Sequence, residues 1–458
     1  MINMDKFKMK YRKRITPWYF YPPIGVLGSN REEINLRERS ELQDSSSLYV
    51  HIPFCASICT YCGFYRTISL KKEKLLEAYL IALEKEIVMY AKTPYVKSLK
   101  FGAVYFGGGT PSVLSSTQLE RLLEICKREF NLSDNAQITI EGNSSSLDET
   151  KLSKILLKGF NRLSLGVQTF NDAIGKSLNL PHSGHQAIKI IEQARNIGYR
   201  NISIDLMYNL PGETLEIWED DLKKAIALGV DHVTVFFLSV LPNTLLEQQL
   251  KDNRILPIGS RDKEIKMYEL AIKTLTGAGY LQERLTDFVK SEVEGWVYGR
   301  LRAACTDVVG LGAGAFGYLN HYLYHNLRSI DGYINAVKDR QFPINISKKI
   351  SVVEEMHGFM AVGLRDLKVN KQKFKKRFGL EAQDVFYDTL NRLESKGWIE
   401  LTDEEIRLPY LGMLWAVEVC REFYSPEVRT LLGKIGCNKT KDFWKDKLSR
   451  LIKRIGSY

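Results

Sequence analysis

The sequence contains no apolar run long enough to cross a bilayer. Its basic start, MINMDKFKMKYRKR, has no apolar segment of the signal-peptide kind. A cytoplasmic protein without a membrane span is the expectation. Cysteine is scarce and odd in number, seven in 458 residues, which excludes a secreted disulfide framework. Cys126, Cys305, Cys420 and Cys437 stand isolated and read as small packed or half-exposed thiols. No long low-complexity linker divides the chain.

What is there begins with the other three cysteines. YVHIPFCASICTYCGFYR, residues 49–66, spaces Cys55, Cys59 and Cys62 as C-x3-C-x2-C. Neither a fourth cysteine nor a nearby downstream histidine completes the set. Thiolates select zinc, copper(I) or iron–sulfur clusters. Structural zinc prefers a closed tetrahedron, usually built from two spaced pairs of ligands. A [4Fe–4S] cube suits three thiolates better, because each binds one iron. The fourth iron then stays open to a small chelating molecule, to which it can pass an electron.

From about 47 to 240, short β-rich runs alternate with segments whose apolar residues recur at three- and four-residue steps. The runs are SLYVHI (47–52), AVYFGGG (103–109), ITIEGN (138–143), RLSLGVQ (162–168), NISIDLMY (201–208) and HVTVFFLSV (232–240). This alternation predicts parallel βαβ units, hence an α/β fold with a partial (β/α)6 barrel. A distinctive motif follows each run: the cysteines, GGGTPS, EGN, GVQTF, DLMYNLPGET and LSVLPNT. Barrel sites gather at the C-terminal strand ends, so the six motifs are expected to meet over one mouth. Singly, Glu141 reads equally as a strand-end cap, Gln168 as a turn residue and Asp205 as a helix-start anchor.

Five spans follow: an N-terminal extension over 1–44, the barrel over 45–255, a barrel extension over 256–345, a C-terminal domain over 346–424 and a basic tail over 425–458. The extension holds VVGLGAGAFGYL (308–319), a glycine-rich turn. The C-terminal domain reads as helices and a small hairpin, a winged-helix-like module. The net charge is +11, and nine Lys/Arg against three acids follow Pro426. A solvated basic surface explains this more simply than nucleic acid does.

C-x3-C-x2-C behind the first strand of a partial barrel resembles the radical S-adenosylmethionine (SAM) superfamily. LYVHIPFC…CTYCGF, YFGGGTPS, RLSLGVQTFND, ISIDLMYNLPGET and GLGAGAFGYL are similar to the subfamily of oxygen-independent coproporphyrinogen III oxidase. EEMHGFMAVGLRDLKVNKQKFKKRFG resembles that subfamily's terminal domain, so the likeness covers about 45–424. It implies that Cys55, Cys59 and Cys62 ligate a [4Fe–4S] cluster and that Tyr49 lies beside cluster and SAM. It also implies SAM contacts from Gly107, Gly108, Gly109, Thr110, Glu141, Gln168 and Asp205. Gly312, Ala313, Gly314 and Ala315 resemble the family segment near a second SAM; a tight packing turn explains them equally well. Leu180 stands where the family carries an arginine that contacts SAM, so another partner is needed there.

YRKRITPWYFYPP (11–23), with Trp18, Tyr19, Phe20 and Tyr21, resembles the start of the anaerobic heme-degrading members, the anaerobilin synthases. That subclass implies a radical SAM methyltransferase that opens heme to a linear tetrapyrrole and releases iron, reduced by a flavodoxin- or ferredoxin-type donor. Alternatives are a decarboxylating coproporphyrinogen III oxidase and a non-catalytic heme chaperone; a zinc-dependent nucleic-acid binder is remote. The segment reads equally as a clasp packed on the barrel. His182, His185, His232, His321, His325 and His357 are singled out for no role, and Cys305 reads as packed rather than heme-bound.

Overall fold

A computed structural model describes residues 21–23, 26–28, 31–37, 45–68, 73–290 and 295–437, the last with side chains to 432. It divides into two compact units, one from the described parts of 24–351, the other from 21–23 with 352–437. The first unit holds the barrel and its extension together.

In the larger unit twelve strands form one sheet among the described residues. They are β1 (Ser46–Ile52), β2 (Phe101–Gly108), β3 (Leu132–Gly142), β4 (Arg162–Gln168), β5 (Ile202–Tyr208), β6 (His232–Phe237), β7 (Leu281–Gln282), β8 (Asp287–Val289), β9 (Val308–Leu311), β10 (Phe316–Leu319), β11 (Tyr322–Asn326) and β12 (Ile344–Lys349). The order is β12-β11-β10-β9-β1-β2-β3-β4-β5-β6-β8-β7. β1 to β6 run parallel in sequence order, and β9 joins β1 in parallel. Antiparallel strands extend both edges.

The expected α/β half-barrel is therefore present, with two strand limits revised by three residues or more. β3 starts six residues earlier than the ITIEGN run, because Leu132 pairs with Phe101 across a register shift. β6 ends at Phe237, short of Val240. Leu238 leaves the ladder to enter an apolar cluster with Ile174, Leu178, Met207, Leu210 and Leu246.

Alternate strand residues face opposite sides of a sheet. One face is apolar and buried: Leu48, Val50 and Ile52 on β1, Ile138 and Ile140 on β3, Leu163, Leu165 and Val167 on β4, Ile202, Ile204 and Leu206 on β5. Crossover helices complete the βα units, and their caps are written in the sequence. Ser115 and Ser183 close capping boxes with Gln118 and Gln186, and Gly198 ends its helix in the left-handed region. The opposite face carries Tyr49, His51, Thr139, Glu141, Arg162, Ser164, Ser203, Asp205, His232 and Thr234. Its polarity sets it apart from a filled apolar barrel interior.

The smaller unit is helical around a three-stranded sheet of β13 (Lys368–Asn370), β14 (Glu400–Leu401) and β15 (Glu405–Arg407), ordered β13-β15-β14. Phe359, Phe374, Phe386 and Phe423 pack edge to face in its core. Tyr21 belongs here: its ring lies 5.1 Å from Tyr424 and its hydroxyl accepts from the Ser425 amide at 2.8 Å. The clasp expected on the barrel thus packs, at Tyr21, within the smaller unit. Trp18, Tyr19, Phe20 and the tail beyond residue 437 lie outside the described residues.

Trp218 is fully buried in the helix Leu215–Ala227, where its Nε1 donates to the Met267 carbonyl at 2.8 Å. Trp218→Ala is expected to cost about 3–5 kcal/mol in denaturant unfolding of the purified chain, and Trp218→Phe clearly less.

Candidate active site

The cysteine loop leaves β1 and is pinned from three sides. The amides of Gly109 and Thr110, just past β2, donate to the carbonyls of Ile52 and Phe54 at 2.9 and 2.8 Å. Thr60 donates through its amide to the Leu178 carbonyl at 3.0 Å and accepts from the Leu246 amide at 2.9 Å. Asn179 donates from Nδ2 to the Ile58 carbonyl at 2.7 Å. Motifs behind β2, β4 and β6 thus hold the loop behind β1. Gly109 is glycine for a steric reason: a Cβ there would meet the carbonyl oxygens of Ile52 and Phe54 at 2.7 Å each.

Cys55 is buried, and Cys59 and Cys62 are partly exposed. Thr110 Oγ1 donates to Cys55 Sγ at 3.5 Å, and the Tyr61 hydroxyl bonds Cys59. Burial raises all three thiols, Cys59 to about 11, and the charge of Cys62 raises the other two further. Arg66 is the cation that eases ionisation of all three. Such thiols ionise when a metal centre takes them. Among the described residues, no three His, Cys, Asp or Glu converge on a single ion. A cube asks something different, one sulfur for each of three irons. Three neighbouring thiols on one braced loop fit that demand.

Glu141, next to last on β3, and Asp205, midway along β5, lie on the same inward face and are partly exposed. Glu141 accepts from the Tyr105 hydroxyl at 2.5 Å and the Gly108 amide at 3.1 Å, and burial raises its pKa. Burial and the Glu141 charge push Asp205 to about 7. Gln168 ends β4 at a register irregularity with φ +66°, a left-handed backbone that costs energy outside glycine. Tyr49 bonds His51 Nδ1 through its hydroxyl at 2.9 Å, and its ring lies nearly parallel to those of Tyr105 and Tyr298, 6.4 and 6.1 Å away, which stack on each other at 4.8 Å. A Cβ on Gly107 would meet Glu141 and Tyr105, and one on Gly108 would meet the His51 ring.

The Gly312–Ala315 turn follows β9 and abuts the same loop. Gly312 has φ +102°, and a Cβ there would lie 2.5 Å from the His51 carbonyl oxygen and the Tyr79 hydroxyl. Gly314 lies against Tyr65. Glu86 holds the turn from behind, accepting from the Gly312 amide at 2.7 Å, Asn326 Nδ2 at 2.8 Å and the Tyr333 hydroxyl at 2.6 Å. Burial lifts Glu86 to about 7. The cysteine loop, Gly107 to Thr110, Glu141, Gln168 and the Gly312–Ala315 turn thus lie at or just past the C-terminal ends of their strands, whereas Tyr49 and Asp205 stand midway along theirs.

Leu180 is half-buried against the apolar cluster that includes Leu178 and Met207, beside Tyr61 and Ile217. Of the isolated cysteines, Cys126 and Cys420 are buried and Cys305 half-buried. His325 stacks on Phe316 at 4.3 Å, and His182 and His357 bond backbone carbonyls. Sequence reasoning passed over His51, Tyr105, Glu86, Arg162, His232 and Asp287. The signal for two of them was the polar residue at every second position, R-L-S for Arg162 and H-V-T for His232.

A parallel half-barrel with a braced three-cysteine loop at its mouth defines a radical SAM protein, and comparison with known proteins agrees. The radical SAM superfamily profile matches residues 49–225, and the HemN C-terminal domain profile matches 350–415. The chain is 32% identical to heme chaperone HemW of Bacillus subtilis, over 82% of this chain and 98% of that protein. It is 32% identical to anaerobilin synthase of Escherichia coli O157:H7, over 65% and 66%. Oxygen-independent coproporphyrinogen III oxidase of Escherichia coli K12 is 27% identical over 82% and 85%. The solved coproporphyrinogen III oxidase of Escherichia coli superposes with a TM-score of 0.76 at 24% identity, covering 89% of this chain and 97% of that one. The chain belongs to the HemN-like family of radical SAM proteins. Membership implies a [4Fe–4S] cluster and SAM.

Gly109→Ala is expected to cut iron and sulfide per chain several-fold after anaerobic reconstitution. Gly277→Ala, where a Cβ meets nothing within 4 Å, serves as the control and should load normally. Full loading of Gly109→Ala would contradict the steric account.

Proposed function

We propose that the chain is a radical SAM methyltransferase that opens heme without oxygen to a linear tetrapyrrole and releases its iron. The observation that carries this reading is the convergence of the cysteine loop, Glu141, Asp205 and the Gly312–Ala315 turn on one mouth. The cluster, when bound, supplies the electron that cleaves SAM. Cys55, Cys59 and Cys62 hold it, with Tyr49 beside them. Glu141 and Asp205 accept from SAM's ammonium and ribose hydroxyls, Gln168 adds a polar contact, and Gly107 to Thr110 lie along the methionyl end. The Gly312–Ala315 turn offers backbone to a second SAM, the methyl donor.

The substrate side rests on kinship and on the rim of the mouth. Relatives include a heme chaperone, an anaerobilin synthase and coproporphyrinogen oxidases. Ile58 and Phe64 on the cysteine loop and Leu241 and Leu245 beyond β6 are exposed. Leu241 packs on Gly63. An apolar rim of this kind suits the face of a large flat macrocycle.

A heme chaperone is the second reading. It is favoured by a match spanning 98% of the Bacillus subtilis chaperone, against 66% of the anaerobilin synthase. One anaerobic experiment separates the two: reconstituted protein, reductant, SAM and heme, with products read by mass spectrometry. The methyltransferase reading predicts S-adenosylhomocysteine and 5′-deoxyadenosine together with loss of heme. Bound but unchanged heme without S-adenosylhomocysteine would overturn it in favour of the chaperone. Cys59→Ala should abolish the cluster's visible absorbance and SAM cleavage.

A further inference from the structure

Below the mouth the inward face of the sheet carries a buried charge chain that the reading above leaves unused. Arg162 opens β4 and is 1% exposed. Its Nη2 donates to His232 Nδ1 at 2.8 Å. Accepting there fixes the ring's proton on Nε2, which donates to Asp287 Oδ1 at 3.0 Å. Burial keeps His232 neutral. Burial opposes the charge on Asp287, but the bond from His232 and the Arg284 charge hold its carboxyl well below the usual range. The chain across β4, β6 and β8 thus runs from guanidinium through neutral imidazole to carboxylate.

That arrangement uses one edge of Arg162. Its Nε and Nη1 are buried and make no hydrogen bond among the described residues. A guanidinium stays charged when buried, and unpaired buried donors are costly. Arg162 pairs with Thr139 in the ladder, which puts Glu141 two residues further along β3 on the same inward face, and the charges of Glu141, Asp205 on β5 and Asp287 on β8, with the Tyr105 hydroxyl on β2, act on this cation. The Arg162 charge favours ionisation of both Glu141 and Asp205. Asp205 also feels the opposing charges of Glu141 and Asp287, and takes a hydrogen bond from Thr234.

We propose that Arg162 is a positioning residue for SAM: from beneath the mouth it supplies the counter-charge for Glu141 and Asp205 and orients them, while His232 and Asp287 hold it in place. The inference rests on those two carboxylates being SAM contacts. It explains how acidic groups gather in a buried mouth where like charges would otherwise drive one to keep its proton. The sign of the pH dependence follows. Ionised carboxylates accept from SAM's ammonium and ribose hydroxyls, so affinity is present above the pKa of Asp205 and lost as pH falls through it. Removing Arg162 raises that midpoint, and removing the Asp287 charge lowers it.

The test is anaerobic equilibrium dialysis of SAM against the reconstituted full chain between pH 6 and pH 9. R162M is expected to bind about tenfold more weakly at pH 7, with the midpoint raised by about one pH unit. R162K should recover part of the loss, and D287N should move the midpoint the other way. Iron and sulfide content should match the parent in each. If R162M does not fold, R162K and D287N still give opposite shifts under the proposal. Parental affinity and midpoint in both Arg162 variants, or a shift of the same sign with D287N, would overturn it. A parent chain that loads its cluster but fails to bind SAM would overturn the SAM reading itself, and this inference with it.

Discussion

The pleat of seven parallel strands governs this molecule. Each strand sends alternate residues to opposite faces, and here the two faces have opposite chemistry. Leu163, Leu165 and Val167 look outward into the helix layer, while Arg162 and Ser164 look inward. A one-residue slip of β3, β4 or β5 would turn Glu141, Arg162 or Asp205 into the helix layer and its core residues out of it. Register is thereby fixed, and with it the height at which Glu141 and Asp205 reach the mouth. The cost is a set of buried charges, balanced by pairing Arg162 through His232 to Asp287.

On that frame the cysteine loop is a braced element. Backbone bonds from Gly109, Thr110 and Leu246, and one from the Asn179 side chain, tie it to motifs behind three other strands. The thiols gain a fixed spacing at the expense of burial, which raises their pKa values. A metal centre reverses that penalty by taking the thiolates directly. Glycine at 109 follows from the same bracing, since any side chain would strike the loop's own backbone.

Much of the architecture was legible in the residues. The alternation of β-rich runs with amphipathic segments located all six barrel strands, and RLSLGVQ matched β4 at both ends. The cysteine spacing pointed to iron–sulfur chemistry, and the motifs following each run located the mouth. Less legible was whatever depends on long-range packing. The early start of β3 rests on a register shift against β2, and the early end of β6 on an apolar cluster drawn from four segments. His232 stood among six histidines that sequence could not rank; only the fold brings it between Arg162 and Asp287. Glu86 looked like one more charge on a helix, yet it holds the Gly312 turn from 226 residues away.

The central claim is that the loop presents one open iron to SAM inside this mouth. Electron paramagnetic resonance of the reduced, reconstituted chain tests it directly, with and without SAM. The account predicts a [4Fe–4S] signal whose g-values shift on adding SAM, and loss of that signal in Cys59→Ala. A cluster signal that ignores SAM, or one that survives intact in Cys59→Ala, would contradict it.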